Sequence, residues 1–167
     1  MQIGIIGLGV VGLSFASVLG AKGVSVIGMD SDSKKVKEIT SKKSLFFEPK
    51  LDSFLKNALS KSLEISSDIE RIVKNCDLIF LTVGTPKSKS GFIDLSMIKN
   101  ASKNIGVSLR HSSKKPIIVV KSTVIPGTTT NVIKPIIEKM SNKKAGKGFE
   151  IIANPEFLRE GNKSTIH

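Results

Sequence analysis

Three glycines near the N-terminus have the spacing that brings a protein backbone close to a pyrophosphate. Gly7, Gly9 and Gly12 form a G-x-G-x-x-G pattern directly after a short aliphatic run. The first glycine permits a tight turn, the second leaves room for phosphates, and the third lets helix and strand pack closely. Free amides at the start of the following helix would hold the phosphates. The pattern therefore indicates dinucleotide binding, with an ordinary strand–helix turn as the alternative.

An acidic residue follows at the distance that this interpretation requires. Asp30 ends the second aliphatic run, 18 residues beyond Gly12. A carboxylate at that place would accept hydrogen bonds from both hydroxyls of an adenosine ribose and repel a 2′-phosphate, which favours NAD over NADP. Lys34 and Lys35 leave an alternative open, because a nearby cation can accommodate a phosphate. They are otherwise a solvated first helical turn.

Three polar segments come directly after later aliphatic runs, namely Val83–Pro86, Lys121–Gly127 and Ala153–Gly161. The carboxyl ends of parallel strands meet at one edge of a sheet, where ligands bind at the topological switch point. Ser122 and Thr123 place two hydroxyls at that edge. We expect these segments to flank the same crevice as the glycine loop, although the first of them alone is equally typical of a simple turn.

Two glutamates in the last of these segments are candidates for acid–base chemistry. Asn154 and Pro155 suit the cap and first position of a helix. Glu156 and Glu160 would then share one helical face. Two glutamates on a helix are usually solvated, but two that face a cofactor crevice could exchange protons with a substrate.

Short aliphatic runs alternate with helix-like segments, which is typical of a parallel sheet buried on both faces. We expect an α/β fold: a Rossmann-like, doubly wound parallel sheet of about six strands in a single domain. The expected strands are Ile3–Ile6, Val24–Met29, Leu63–Ser66, Leu78–Val83, Ile117–Lys121 and Phe149–Ala153. The expected helices are Val10–Leu19, Ser33–Thr40, Leu51–Leu59, Ile69–Lys74, Leu95–Leu109 capped by Asp94, and Thr128–Met140 kinked at Pro135.

Basic residues are distributed unevenly. The 167 residues include 26 Lys and Arg against 14 Asp and Glu, and residues 87–147 hold 13 of the basic ones but only Asp94 and Glu138 as acids. This excess indicates either a lysine-rich solvated exterior or a nucleic-acid surface. With only three Arg, and no Tyr or Trp to stack on bases, the composition favours the exterior. We expect no specific nucleic-acid partner.

The composition also limits the compartment and the metal chemistry. No apolar run approaches the roughly 18 residues of a membrane span, and no basic leader opens the chain, so we expect a cytoplasmic protein without a membrane partner. A single cysteine, Cys76, excludes an internal disulfide and any multi-cysteine metal site. We therefore predict no metal site.

Six segments together resemble the UDP-glucose/GDP-mannose dehydrogenase family in their order and spacing. The resemblance covers essentially the whole chain. Its last two segments are more specific than the glycine loop, because other dinucleotide-binding folds do not share them. The six segments are Gly7–Gly12, Phe47–Leu51, Val83–Pro86, Ile93–Leu95, Lys121–Thr128 and Asn154–Gly161.

The resemblance implies the NAD-binding domain of a nucleotide-sugar 6-dehydrogenase that serves polysaccharide biosynthesis. Such enzymes oxidise a C6 alcohol to a carboxylate in two steps with two NAD, through a cysteine-bound thiohemiacetal and thioester. UDP-glucose, giving UDP-glucuronate, is the first expectation for the substrate. GDP-mannose is close behind it, and a stand-alone, non-catalytic NAD-binding module is a further alternative.

The resemblance also implies site residues, carried over motif by motif. The cofactor contacts would be Gly7, Gly9, Val10, Val11, Gly12, Asp30, Lys35, Gly84, Thr85, Ser122, Thr123 and Glu160. The catalytic residues would be Thr123, Glu156 and Glu160, and a substrate-facing strip would comprise Glu156, Phe157, Leu158 and Arg159. Val10 departs from the family, which usually has Tyr there.

The family places its catalytic cysteine, its sugar-nucleotide clamp and its dimer-forming central helix beyond the segment that ends at Gly161. We therefore expect residues 1–167 to form the NAD-binding domain without those parts. Cys76 precedes a strand, at the sheet edge opposite the crevice, and does not match the family nucleophile. We expect it to be a small packed residue.

Overall fold

The computed structural model describes residues 1–88 and 91–155. Six strands and six α-helices follow one another along them, with two helices in succession between the second and third strands. The strands are β1 (Ile3–Ile6), β2 (Val26–Met29), β3 (Leu63–Ser66), β4 (Leu78–Leu81), β5 (Ile117–Val120) and β6 (Glu150–Ala153). The helices are α1 (Val10–Ala21), α2 (Ser33–Thr40), α3 (Leu51–Lys61), α4 (Ile69–Asn75), α5 (Ser96–Arg110) and α6 (Lys134–Ser141).

The six strands form one parallel sheet in the order β3-β2-β1-β4-β5-β6. Strand order reverses at β1, since β2 lies on one side of it and β4 on the other. The expected doubly wound sheet is confirmed, and its switch point lies between the carboxyl ends of β1 and β4. The register pairs Ile6 with both Met29 and Leu81.

Helices cover both faces of the sheet and create two cores. On one face α1 and α3 pack side chains such as Leu13 and Leu55 against Ile5 of β1. On the other face α4, α5 and α6 bury side chains such as Ile105 and Ile137. Burial on both faces explains why the strands are nearly continuous aliphatic runs rather than alternating ones.

Several strand and helix ends differ from expectation by one or two residues, and the starts of two helices differ for local reasons. Helix α5 begins at Ser96, and Asp94 still acts at its start because its carboxylate accepts a hydrogen bond from the Ser96 amide at 2.8 Å. In place of the single helix expected over Thr128–Met140, a π-helical segment, Thr129–Ile133, lies directly before α6, whose second residue is Pro135. Proline has no backbone N–H to donate to the preceding turn, so the helical hydrogen-bond pattern changes from π to α at this point.

In the part of the chain that the structure describes, no helix has both the length and the apolar character needed to cross a membrane.

Candidate functional site

The glycine loop leaves β1 at the switch point and presses against the end of β4. Gly7 has φ of +99°, and a Cβ at this position would lie 2.8 Å from the Val83 backbone nitrogen. Both the backbone conformation and the contact require glycine here. The turn therefore brings the first two loops of the crevice into direct contact.

Helix α1 begins with an open, positively polarised end. Its N-cap residue is Gly9, which has no side chain to cap the first amides, whereas Asp32 and Asp68 cap α2 and α4 with their carboxylates. A Cβ at Gly9 would meet no atom within 4 Å. The first amides of a helix need an acceptor, and its dipole favours an anion there. This uncapped, unobstructed end fits the pyrophosphate of a dinucleotide.

Asp30 links the glycine loop to the end of β2. Its Oδ2 accepts a hydrogen bond from the Leu8 amide at 2.9 Å, and its Oδ1 accepts one from the Asp32 amide at 3.0 Å. The side chain is only 10% exposed. A carboxylate has about four acceptor sites, so two remain for ribose hydroxyls after these bonds are made. The position predicted for ribose recognition thus also fixes the loop that would hold the phosphates.

The two lysines beside Asp30 behave differently. Lys35 Nζ lies 3.8 Å from Asp30 Oδ2, which makes an ion pair, while Lys34 is exposed. The ion pair sets the Lys35 charge against that of the Asp30 carboxylate. A carboxylate at the end of β2 agrees with a preference for NAD.

Thr82 is a site residue that the sequence analysis missed. It follows β4 directly and is 8% exposed. Its Oγ1 lies 2.7 Å from the Gly7 carbonyl oxygen and 3.0 Å from that of Ile6, so the hydroxyl donates to the backbone of the glycine loop. The Ile6 carbonyl also accepts from the Thr82 amide at 2.9 Å. The Thr82 hydroxyl is therefore a buried hydrogen-bond donor that holds the Gly7 carbonyl in place.

Replacing Thr82 with valine should loosen this tie at nearly constant volume. We expect Thr82→Val to lower the free energy of unfolding by about 1–2 kcal/mol, because a buried carbonyl loses its side-chain donor. NAD affinity should fall as well, since the loop is no longer held. Thr82→Ser is the matched control and should restore both values in urea unfolding and calorimetry. Parent-like stability in the valine variant would contradict this role.

The loops after β4 and β5 are joined by two hydroxyls. Ser122 Oγ lies 2.6 Å from the Val83 carbonyl oxygen, and Thr85 Oγ1 donates to the Thr123 carbonyl at 2.6 Å. The structure thus brings together the predicted residues Thr85, Ser122 and Thr123. These two hydrogen bonds fix the side of the crevice that lies opposite the glycine loop.

The loop after β6 joins the same edge. Lys121 Nζ donates to Asn154 Oδ1 at 3.2 Å, and the Asn154 amide donates to the Val120 carbonyl at 2.9 Å. Lys121 Nζ also lies 6.0 Å from the centre of the Phe15 ring of α1. The three later loops and the glycine loop therefore meet at the carboxyl edge, as predicted.

The other predicted positions divide into those that the structure places and those that it does not describe. Val10 and Val11 are the first two residues of α1, the former exposed and the latter partly exposed, and Gly84 is exposed in the loop after β4. Gly12 is buried against the Gly7 carbonyl and the Thr82 hydroxyl. The remaining predictions, Glu156, Phe157, Leu158, Arg159 and Glu160, lie outside the described residues.

Cys76 takes no part in this site. It ends α4 just before β4, at the amino edge of the sheet, and is fully buried. Burial, reinforced by the neighbouring Asp77 carboxylate, raises the pKa of its thiol to about 12. A thiol that stays protonated at neutral pH is a poor nucleophile. The expectation of a packed residue away from the crevice is confirmed.

Comparison with known proteins gives consistent matches over nearly the whole chain. Residues 1–165 match the model described as the UDP-glucose/GDP-mannose dehydrogenase family, NAD binding domain. The GDP-mannose 6-dehydrogenase of Pseudomonas aeruginosa is 43% identical over 161 residues, which are 96% of this chain and 37% of that protein. The UDP-glucose 6-dehydrogenase of Haloferax volcanii is 36% identical over the same shares of the two chains.

A solved structure agrees with the sequence matches. The crystal structure of a ternary complex of GDP-mannose dehydrogenase from Pseudomonas aeruginosa superposes with a TM-score of 0.91 at 42% identity. The match covers 95% of this chain and 37% of the crystallised one. The chain thus spans little more than a third of the relatives it matches.

Proposed function

Because this chain belongs to the UDP-glucose/GDP-mannose dehydrogenase family, as its NAD-binding domain, we propose that it serves a nucleotide-sugar 6-dehydrogenase acting on GDP-mannose. The observation that carries the proposal is the uncapped N-terminal end of α1 at Gly9, which lies beside Asp30. The neighbouring loops, which are joined by hydroxyl hydrogen bonds, follow the family pattern. GDP-mannose is proposed because six relatives that share 38–43% identity with this chain carry that activity in their names.

UDP-glucose, the substrate expected from the sequence, is the second candidate. Relatives named as UDP-glucose 6-dehydrogenases are 36% and 38% identical to this chain. The proposed cofactor-binding residues are the same for both substrates, so they do not distinguish the two. The test is an assay of the complete gene product with each sugar nucleotide. Faster NADH formation from UDP-glucose would overturn the choice of GDP-mannose.

Bound NAD would supply the hydride acceptor for oxidation of the sugar alcohol. The chain's own contribution is to bind and orient it. The first amides of α1 would hold the pyrophosphate, and Asp30 would accept from the adenosine ribose. Gly84 and Thr85 would border the nicotinamide half, across the switch point. These loops are already joined by hydrogen bonds, so binding needs little rearrangement.

The chemical roles at the far end of the crevice remain proposals based on family motifs. Thr123 and Glu160 would lie by the nicotinamide and handle water and protons, and Glu156 would act as acid or base in thioester hydrolysis. Phe157, Leu158 and Arg159 would complete the strip that faces the substrate. We include in the same proposal the 1–167 domain extent, a cytoplasmic location, a role in polysaccharide biosynthesis and family-type dimerisation.

The 167-residue chain alone should bind NAD without sustained oxidation of either sugar nucleotide. The reason is that its single thiol, Cys76, is buried at the opposite edge with a pKa of about 12, so no thiohemiacetal can form in the crevice. The measurement is NADH absorbance after mixing the chain with NAD and GDP-mannose or UDP-glucose. Turnover that disappears in Cys76→Ala would contradict this prediction.

The chain should bind NADH about tenfold more tightly than NADPH, a difference of about 1.4 kcal/mol. Asp30 carries this preference through its charge, so Asp30→Asn should narrow the ratio while keeping part of the bonding to the Leu8 amide. Fluorescence titration with NADH and with NADPH measures the two dissociation constants and hence their ratio. The exposed Lys34 offers a matched control, and Lys34→Gln should leave the ratio high. Equal affinities in the parent chain would contradict NAD selectivity.

A further inference from the structure

A lysine-lined groove lies at the amino edge of the sheet, away from the cofactor crevice. It has a volume of about 320 Å³ and lies between the segment that precedes β5 and the segment that precedes β6. Strand β5 has four residues, so its two ends are about 13 Å apart. The groove therefore opens at one end of β5 and the crevice at the other. Its lining residues are Ser113, Lys115, Lys143, Lys144, Lys147 and Gly148.

The fold fixes Lys143 and the two connections that form the groove. Lys143 Nζ donates to the Ser112 carbonyl, which ties the two connections together. The stem of Lys143 packs on Gly148 so closely that a Cβ there would lie 2.7 Å from Lys143 Cβ. Asn142 begins this connection with φ of +57° and Gly146 bends it with φ of +83°. The walls of the groove are thus shaped before any ligand arrives.

Positive charge in the groove is poorly balanced. Residues 110–116 and 139–148 contain seven Lys and Arg and no Asp or Glu. Lys114 pairs with Asp77 at 2.6 Å and Lys144 pairs with Glu138 at 3.4 Å, but the ion pairs found in the described part of the chain do not include Lys115 or Lys147. No carboxylate is among the described residues that line the groove. Clustered like charges create a local potential that attracts anions.

An adjoining groove shows the contrast. It is larger, about 460 Å³, and shares Lys143 and Lys144 with the first. Glu138 lines it, however, and hydrogen bonding to the Ala145 amide, with Lys144 nearby, lowers the pKa of that carboxyl, so it is ionised at neutral pH. Glu138 therefore partly offsets the charge of the two shared lysines, and Lys115 and Lys147 carry the unbalanced charge of the smaller groove.

We propose that the smaller groove binds a compact oligophosphate anion at the same time as NAD occupies the crevice. Lysine ammonium groups act as point charges toward phosphate, without the planar fork of Arg. Among the described residues, no aromatic side chain lines the groove to stack on a base. Its volume is at the lower end for small-ligand sites. These features select for dense negative charge rather than for a nucleoside.

The test is calorimetric titration of tripolyphosphate into the chain saturated with NAD. Lys115→Gln with Lys147→Gln removes two groove charges that have no described ion pair. Lys22→Gln with Lys61→Gln is the matched control, since these exposed lysines lie after α1 and at the end of α3. We expect the groove variant to lose about tenfold or more in affinity and the control about twofold or less. NAD affinity should stay unchanged in both.

Each other outcome overturns the proposal. Equal losses in the two double variants would show attraction by net charge alone. Displacement of tripolyphosphate by NAD would place it in the crevice. Tighter binding of ADP than of tripolyphosphate would show nucleoside recognition. Binding to phosphatidylglycerol vesicles without binding of tripolyphosphate would identify a membrane surface instead.

Discussion

Replacing Gly9 with valine should abolish NAD binding and leave the fold intact. Gly9 has φ of −74° and ψ of −165°, a backbone conformation open to any residue, and a Cβ there meets no protein atom within 4 Å. The added methyl groups would occupy the space beside the first amides of α1, where the pyrophosphate must approach. We expect affinity to fall by about 100-fold or more, roughly 2.8 kcal/mol.

Calorimetry with NAD measures this loss, and the thermal midpoint reports the fold. Gly9→Ala is the graded control and should weaken binding less than the valine does. A folded Gly9→Val chain that binds NAD normally would show that the loop is purely structural.

Replacing Gly12 with alanine should have the opposite result, a damaged fold. An added Cβ would overlap the Gly7 carbonyl oxygen and lie 2.7 Å from Thr82 Oγ1. These two atoms form the buried hydrogen bond that links the ends of β1 and β4. The carbonyl oxygen belongs to the backbone, so it cannot rotate away as a flexible side chain can. We expect a loss of about 3 kcal/mol in the free energy of unfolding, at the upper end for overpacking.

Urea denaturation measures this loss, and a loss of that size lowers the thermal midpoint by roughly 6–12 °C in a chain of this length. Failure of the variant to accumulate as folded protein agrees with the same cause. A midpoint equal to that of Gly9→Ala would contradict it, since the two substitutions add the same methyl group within one motif. The pair thus separates close packing from ligand access.

The local patterns were the predictable part of this molecule. The glycine spacing, the position of Asp30 and the aliphatic runs each depend on residues close in sequence, and together they predicted the doubly wound parallel sheet and the edge that carries the crevice. Thr82 was not predictable in this way. Its bond to Gly7 joins residues 75 apart and depends on the register that pairs Ile6 with Leu81. The lysine groove likewise depends on two connections meeting across β5 and β6.

The bond between Asp30 and the Leu8 amide has a consequence for the thermodynamics of binding. A flexible glycine-rich loop would lose much conformational entropy on closing around a ligand, since glycine has the most backbone freedom to lose. Here an internal carboxylate already restrains that loop, so most of this entropy is lost when the chain folds rather than when the cofactor binds. The free energy of the phosphate and ribose contacts is then expressed largely as affinity.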